Sequence, residues 1–168
     1  LIGAGGIGAI WADGAAQIPE GIAITTVVDT DKKRAEAIAQ KIGASTATDY
    51  RAVLADKNIH AVIVALPHYL LAPVSHAALA AGKHVLCEKP AGVNAKEIAA
   101  NTALAKKKKL IYMIAYNHRY HPAYMKAKEV LDAGTIGKLL CIRARYGFGG
   151  RPGYQNEWRF KKKIAGGG

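Results

Sequence analysis

The first eight residues have the types and the spacing to bind a phosphate group. They run Leu1-Ile2-Gly3-Ala4-Gly5-Gly6-Ile7-Gly8, and Gly3, Gly5 and Gly8 fit the pattern G-x-G-x-x-G. In a strand–turn–helix unit, Gly3 permits the tight turn, Gly5 lets a pyrophosphate approach the backbone, and Gly8 lets the helix pack against the strand. The positive end of the helix dipole then faces the phosphates. Because 18 glycines can produce this pattern by chance, a plain glycine-rich turn is the alternative.

An acidic residue follows at the distance that this pattern requires, about 20 residues on. The β-branched run from Ile22 to Val28 predicts a second strand, and Asp29 follows it. The order of glycine turn, helix, strand and acid predicts a dinucleotide site in which Asp29 accepts hydrogen bonds from ribose hydroxyls. A carboxylate repels a 2′-phosphate and so favours NAD over NADP. The cations of Lys32-Lys33-Arg34 can blunt that repulsion, which keeps NADP possible.

These residues need a sheet to position them, and the pattern of the chain predicts one. Apolar runs alternate with helical segments bounded by caps and glycines, which is typical of a Rossmann-type doubly wound parallel sheet in an α/β fold. The predicted strands are 22–28, 44–46, 60–66, 84–87 and 110–115, and the predicted helices are 32–42, 70–81, 94–107 and 122–133, with a short helix after Asp49. A ligand should lie beyond the carboxyl ends of the strands, near Gly3, Asp29, Pro67, Glu88-Lys89-Pro90 and Tyr116-Asn117.

The last part of the chain has a different pattern of apolar and polar residues. Apolar and polar residues alternate within 138–148, which predicts a half-exposed strand and the start of a second α+β domain with an antiparallel sheet. We therefore expect a Rossmann domain at 1–120, then a connecting helix and the truncated start of a substrate domain at 121–168. Both chain ends lack a structural boundary, which suggests an excerpt of a longer protein.

A polar, aromatic loop near the end of the chain could shape a substrate pocket or serve ordinary packing between domains. Its candidate substrate residues are Arg151, Tyr154, Trp158 and Arg159.

Composition excludes several classes of protein. The chain has 168 residues, 51% of them hydrophobic and 21% charged, as in ordinary globular domains, without a run of about 20 apolar residues or a visible signal peptide. Cys87 and Cys141 lack metal-ligand spacing, so we expect no metal site and reduced cytoplasmic thiols. The net charge of +12 lies largely in three short basic runs without any nucleic-acid motif. We expect solvated helix surfaces there, and neither a nucleic-acid nor a membrane partner.

A second motif identifies a resemblance. The stretch Ala81-Gly82-Lys83-His84-Val85-Leu86-Cys87-Glu88-Lys89-Pro90 resembles the AGKHVxxEKP signature of the Gfo/Idh/MocA family of oxidoreductases. Further segments match in order: the loop Gly3 to Gly8, including Gly6 and Ile7, with Asp29; Asn117-His118-Arg119-Tyr120-His121-Pro122; Gly134-Thr135-Ile136-Gly137; and Trp158-Arg159. The resemblance covers nearly the whole chain.

The resemblance implies NAD(P)-dependent hydride transfer at a secondary alcohol of a sugar, cyclitol or sugar derivative, including a nucleotide sugar. Lys89 would lie beside the nicotinamide and the substrate hydroxyl, where an ammonium can stabilise alkoxide charge or relay a proton. Glu88 would orient Lys89 or contact the cofactor, and the Lys89-Pro90 bond should be cis. Asn117 and Arg119 would also bind the cofactor. We expect a homo-oligomer at full length.

Two departures from the family pattern limit what the resemblance implies. Leu71 stands where the family often has a histidine after its fourth strand, so cofactor contacts there are expected at Leu66 and Pro67 alone. The family's catalytic histidine, in a D-x-x-x-H motif, would lie beyond Gly168, and His68, His76, His118 and His121 do not match that motif. We therefore expect this chain by itself to be inactive. The rival hypothesis is a non-catalytic dinucleotide-binding or redox-sensing module.

Overall fold

The computed structural model describes residues 1–166, and the chain divides into two compact units. Residues 1–115 form the first unit together with the chain from Trp158 onward, and Tyr116–Glu157 forms the second.

The first unit is built on five short strands: β1 Thr26–Val28, β2 Ser45–Ala47, β3 Ala61–Val64, β4 His84–Cys87 and β5 Tyr112–Ile114. All the pairs that they form are parallel. Ile2 makes parallel bridges to both Val28 and Val64, which gives the lateral order β2–β1–Ile2–β3–β4–β5. The predicted Rossmann-type parallel sheet is confirmed. The order of the strands reverses at Ile2, and such a reversal opens a crevice at the carboxyl ends of the strands.

Five helices connect these strands: α1 Gly6–Ala16, α2 Lys32–Ile42, α3 Tyr50–Ala55, α4 His68–Ala80 and α5 Ala95–Lys108. Local sequence sets their ends. The carboxylate of Asp31 accepts from the backbone N–H of Lys33 and Arg34 at the start of α2, and Gly43 ends it with a φ of 68°. Asn94 caps α5 by accepting from the N–H of Glu97.

Both faces of the sheet are covered, so the fold is doubly wound. Val28, Val62 and Val64 pack with α3, α4 and α5, around the fully buried Leu71 and Leu79. Val27 packs on the other face, with Ala12 of α1 and Ile38 of α2. The continuous apolar character of 60–66 follows from this arrangement, because a central parallel strand buries both of its faces.

The second unit contains a 3-10 helix, Asn117–Tyr120, then α6, Pro122–Asp132, and a second 3-10 helix, Tyr154–Asn156. Pro122 occupies the first position of α6, and Gly134 follows its end with a φ of 68°. A final short helix, α7 Lys162–Ala165, follows a 3-10 turn at Trp158–Phe160 in the first unit.

The predicted strand at 138–148 is absent from residues 1–166, and the antiparallel sheet expected with it is not confirmed, because the sheets there are all parallel. This segment has no regular structure, and its alternating apolar side chains, among them Leu140 and Ile142, stay exposed. A strand needs a neighbour to complete its ladder of hydrogen bonds. Within residues 1–166, no strand pairs with this segment. The alternating pattern alone therefore does not form a sheet.

In the part of the chain that the structure describes, none of the helices combines the length and apolar character needed to cross a membrane.

Candidate functional site

The glycine turn has the geometry that its spacing predicts. Gly3 has a φ of +103°, and a Cβ there would overlap the carbonyl of Ala65. A Cβ at Gly8 would overlap the carbonyl oxygen of Gly3, so the close packing of α1 on the turn requires glycine. Gly5 and Gly6 differ, because an added Cβ would meet nothing within 4 Å at either position. Gly3 and Gly8 therefore fix the turn, while Gly5 and Gly6 present an open backbone surface.

The N-terminus of α1 begins at this open surface. The N-cap residue of α1 is Gly5, which has no side chain that could accept a hydrogen bond from the helix. The first turn of α1 contains no acidic residue. The first N–H groups of a helix lack partners within the helix and carry the positive end of its dipole. An anion placed here would be stabilised by both.

Asp29 is fixed by backbone donors. Its Oδ2 accepts from the N–H of Ala4 at 2.8 Å, and its Oδ1 accepts from the N–H of Asp31 at 2.9 Å. One contact joins the end of β1 to the glycine turn, and the other joins it to the cap of α2. Each carboxylate oxygen can accept more than one hydrogen bond, so the half-buried Asp29 can still accept from a ligand.

The Glu88-Lys89-Pro90 loop leaves the end of β4 beside this turn. The N–H of Glu88 donates to the carbonyl of Val64 at 2.9 Å, which attaches the loop to β3. The Glu88 carboxylate accepts from the indole Nε1 of Trp11 at 2.9 Å and from the backbone N–H of Lys89 at 3.2 Å. The Lys89-Pro90 bond is cis, as predicted.

The two lysines of the signature lie in different environments. Lys83 is buried, and its ammonium donates to the carbonyls of Asp56 at 2.5 Å and Ile59 at 2.7 Å. It holds the chain between α3 and β3 and has a structural role. Lys89 is exposed at the carboxyl end of the sheet. Of the two, Lys89 is therefore placed to meet a ligand.

These features line one cleft. Its walls come from the ends of the strands, from the glycine turn and from residues 158–166, which we call the returning segment because the chain rejoins the first unit there. The residues that line it are Gly3, Gly5, Gly6, Ile7, Asp29, Arg34, Ala65, Leu66, Pro67, His68, Glu88, Lys89, Trp158 and Arg159. The structure thus brings together most of the predicted cofactor residues with Lys89. Of the predicted set, Gly8 supports the turn from behind and Pro90 follows Lys89 in the loop.

The returning segment is fastened to α4 by His68. The ring of Trp158 meets the His68 ring edge to face, with the centroids 4.8 Å apart, and Nδ1 of His68 lies 3.1 Å from the carbonyl oxygen of Ala165. The guanidinium of Arg159 lies over the indole of Trp158, 4.7 Å from its centroid. Trp158 and Arg159 therefore line the cleft together with Lys89.

Four predicted site residues belong to the second unit. Asn117 and Arg119 are exposed on the 3-10 helix that follows β5. Arg151 forms an ion pair with Glu157, and its guanidinium lies 5.3 Å from the centroid of the Tyr154 ring. These contacts order the predicted substrate loop within its own unit.

Sequence reasoning missed two cleft residues and one supporting residue. Ala65 and His68 flank the predicted Leu66-Pro67 pair, so both were within reach of the rule that ligands bind beyond the strand ends. Trp11, which binds Glu88, is the one aromatic residue of helix α1, and that was a usable signal. Arg34 entered the prediction only as a charge; it lines the cleft while its side chain pairs with Asp31 at 3.3 Å.

Buried groups behind the cleft stay uncharged. Burial raises the pKa of the Cys87 thiol to about 11, and burial raises the pKa of Tyr112 to about 12. Cys87 donates from Sγ to the carbonyl of Glu88 at 3.3 Å, so this thiol supports the loop. Among residues 1–166, no cluster of three or more His, Cys, Asp or Glu side chains could hold a metal ion.

Comparison with known proteins identifies the family. A model described as an oxidoreductase family with an NAD-binding Rossmann fold matches residues 1–116, and the GFO/IDH/MocA C-terminal domain model matches residues 124–168. The chain belongs to the Gfo/Idh/MocA oxidoreductase family. The resemblance inferred from the AGKHV and EKP residues is confirmed.

Curated relatives include members with named sugar and cyclitol activities. The chain is 35% identical over 145 residues to levoglucosan dehydrogenase of Pseudarthrobacter phenanthrenivorans, which covers 84% of this chain and 37% of that protein. It is 32% identical over 149 residues to inositol 2-dehydrogenase of Salmonella typhimurium, covering 87% and 44%. The chain therefore spans less than half of the length of these two relatives.

Solved structures of the family share the fold. Levoglucosan dehydrogenase in complex with NADH and levoglucosan superposes with a TM-score of 0.90 at 32% identity, over 99% of this chain and 48% of that one. A 3-ketoreductase from Actinomadura kijaniata in complex with NADP and TDP-benzene gives 0.84 at 28% identity, over 99% and 50%. Both members of the NAD(P) pair occur among these related structures.

Proposed function

We propose that this chain is the cofactor-binding part of an NAD(P)-dependent oxidoreductase that transfers a hydride between the nicotinamide and a secondary alcohol of a sugar, a cyclitol or a sugar derivative. One observation carries the proposal: Lys89 lines the same cleft as the glycine turn and Asp29. A phosphate-binding turn and a ribose acid bind a nucleotide, and an ammonium beside them supplies a group for chemistry.

The residues fit a dinucleotide. The open surface at Gly5 and Gly6 and the uncapped start of α1 suit a pyrophosphate, which needs close approach and N–H donors. The carboxylate of Asp29, already fixed by two backbone N–H groups, suits a pair of ribose hydroxyls. Gly3, Gly5, Gly6, Ile7, Leu66, Pro67, Glu88 and Lys89 would form the remaining wall, with Asn117 and Arg119 as further proposed contacts.

When bound, NAD(P) supplies the hydride acceptor or donor. Lys89 is the proposed catalytic residue. Its ammonium would lie against the reacting hydroxyl and stabilise the negative charge that develops on oxygen as the C–H bond breaks. A fixed cation is most effective when the surrounding site excludes water. It could also pass on the hydroxyl proton.

The cofactor that we propose is NAD, with NADP as a weaker alternative. The charge of Asp29 opposes a 2′-phosphate at the ribose. Arg34 lines the same cleft on the α2 side, and it would have to release Asp31 in order to neutralise such a phosphate. The preference therefore depends on the balance between these two charges.

The proposed substrate is a polyhydroxylated small molecule. Relatives named for levoglucosan, inositol and xylose support this class. Arg159 and Trp158 line the cleft near Lys89 and would contact the substrate. Arg151 and Tyr154 are further proposed substrate residues. An aromatic ring packs well against the apolar face of a sugar, and arginine suits an anionic substituent.

The remaining assignments concern the molecule as a whole. We propose that residues 1–120 are the NAD(P)-binding domain and that 121–168 are the connecting helix and the start of the substrate domain; the second family model, which matches 124–168, supports this division. Two free cysteines support a cytoplasmic location. A homo-oligomer is proposed for the natural gene product.

Cofactor binding by this chain can be tested directly. Titration with NADH, followed by energy transfer from the two tryptophans to the bound nicotinamide, should give saturable quenching. Trp158 lines the cleft and should dominate the signal.

The proposed reaction is tested by turnover. The natural gene product should reduce NAD when offered one member of a panel of sugars and cyclitols. Binding without turnover across the panel would favour the non-catalytic module instead.

A further inference from the structure

The indole of Trp11 holds the carboxylate next to the proposed catalytic lysine. Nε1 of Trp11 donates to Oε1 of Glu88 at 2.9 Å, across 77 positions of sequence. Oε2 of Glu88 accepts from the backbone N–H of Lys89 at 3.2 Å. Both oxygens of the carboxylate are therefore engaged by groups other than the Lys89 ammonium.

This arrangement affects which partners the Lys89 ammonium can meet. Within residues 1–166 the ion pairs do not include one between Glu88 and Lys89, although the two residues are adjacent in sequence. An ammonium that is paired with a carboxylate is stabilised in its charged form and is less available to a ligand. Indole N–H is a donor only, so Trp11 can bind the carboxylate but cannot take its place beside Lys89.

Trp11 also connects two parts of the cleft. It lies in α1, about one turn after Gly8, and α1 starts at the glycine turn. Glu88 lies in the loop that carries Lys89. The hydrogen bond thus ties the proposed phosphate-binding helix to the proposed catalytic loop.

We propose that Trp11 is a positioning residue, whose indole N–H holds the Glu88 carboxylate off the Lys89 ammonium and keeps that ammonium directed to the substrate. The inference rests on the proposed function of Lys89. Losing the donor frees Glu88 to pair with Lys89. The Lys89 ammonium is then held by Glu88, and its interaction with the substrate oxygen weakens.

The hydrogen bond itself is tested without turnover. The chain has two tryptophans, so a ¹⁵N-labelled sample gives two indole N–H resonances, and Trp11→Phe assigns the one from Trp11. In Glu88→Ala, we expect the Trp11 resonance to move upfield and its proton to exchange faster with solvent, while the Trp158 resonance changes less. An unchanged Trp11 resonance in Glu88→Ala would overturn the inference, whatever the activity.

The positioning role is tested in the natural gene product with Trp11→Phe, Glu88→Gln and the double variant. We expect Trp11→Phe to lower kcat about tenfold, the size of one hydrogen bond to a charged group, with the Kd for NADH changed less than twofold. In the Glu88→Gln background, Trp11→Phe should have no further effect on kcat.

Three results separate the possible failures. An equal loss of kcat in both backgrounds, or a higher Kd for NADH at unchanged kcat, would mean that Trp11 acts through packing and would overturn the inference. Ile10→Ala, at an exposed neighbour on α1, is the matched control and should behave as wild type. Wild-type protein that binds NADH without any turnover would instead overturn the proposed function and, with it, the catalytic role of this contact.

Discussion

The backbone N–H of Ala4 donates to Oδ2 of Asp29 at 2.8 Å, so the glycine turn itself positions the acid at the end of the neighbouring strand. The acid and the turn are 25 residues apart in sequence. Their contact makes the phosphate and ribose ends of the proposed cofactor site a single rigid unit.

Asp29→Ala should reduce discrimination between the two cofactors. The variant loses hydrogen bonds from a charged acceptor to the ribose, so its affinity for NAD should fall roughly tenfold or more. Affinity for NADP should fall less or rise, because the repulsion of the 2′-phosphate is also removed. Fluorescence titrations with NADH and NADPH measure both constants. Asp49→Ala, which removes an exposed cap on α3, should leave the ratio of the two constants unchanged, and an unchanged ratio in Asp29→Ala would contradict the role of Asp29.

Gly5→Ala and Gly8→Ala should separate binding from folding. Alanine at Gly8 meets the carbonyl of Gly3, so the structure must shift and the free energy of unfolding should fall by about 1–3 kcal/mol. Alanine at Gly5 meets open space and its φ of −78° suits any residue, so thermal stability should stay near that of wild type. Its methyl group nevertheless occupies the proposed phosphate surface, and the Kd for NADH should rise at least tenfold. If both variants bound NADH normally, the cofactor would not lie on this turn.

The stability of the chain should fall at alkaline pH because of Cys87. Its ordinary pKa of 9.0 is raised to about 11 in the folded chain, so the unfolded state loses its proton first as the pH rises. The free energy of unfolding should therefore be unaffected below pH 9 and should decrease between pH 9 and 11, by roughly 2–3 kcal/mol for this group.

Tyr112, with a pKa raised to about 12, should add a further decrease above pH 10. Urea unfolding at several pH values measures these slopes. Cys87→Ala should flatten the decrease that begins at pH 9, whereas Cys141→Ala, at an exposed thiol, should leave it unchanged. An equal slope in the wild type and Cys87→Ala would show that another group controls the alkaline limit.

Much of the first unit could be predicted because its signals are local. Asp31 and Gly43 mark the ends of α2, and Asn94 marks the start of α5, through caps that need only a few neighbouring residues. The strands predicted at 22–28, 60–66 and 110–115 are shorter in the structure, whereas 84–87 matches its prediction. Residues 22–28 gave a strand only at Thr26–Val28, because β2 offers just three residues, Ser45–Ala47, for pairing. Strand length depends on the partner, and the partner is not visible locally.

The same reasoning explains what the sequence could not predict. The contact between Trp11 and Glu88 joins residues 77 positions apart, and neither residue type carries a signal for the other. The strand expected at 138–148 does not form, because an alternating pattern of apolar and polar residues specifies one strand but not the neighbour with which it must pair. The glycine turn, Asp29 and Lys89 could be placed in one cleft because strand order in a Rossmann sheet brings strand ends together.

Lys89→Ala in the natural gene product tests the central claim most directly. Turnover with NAD and the best substrate of the panel, measured beside the Kd for NADH, should fall at least a hundredfold while the Kd stays within about threefold of wild type. Such a loss corresponds to about 2.7 kcal/mol of transition-state stabilisation. Lys96→Ala, at an exposed lysine on α5, should retain full activity. Near-normal turnover in Lys89→Ala would contradict the proposal that this lysine carries the chemistry of the cleft.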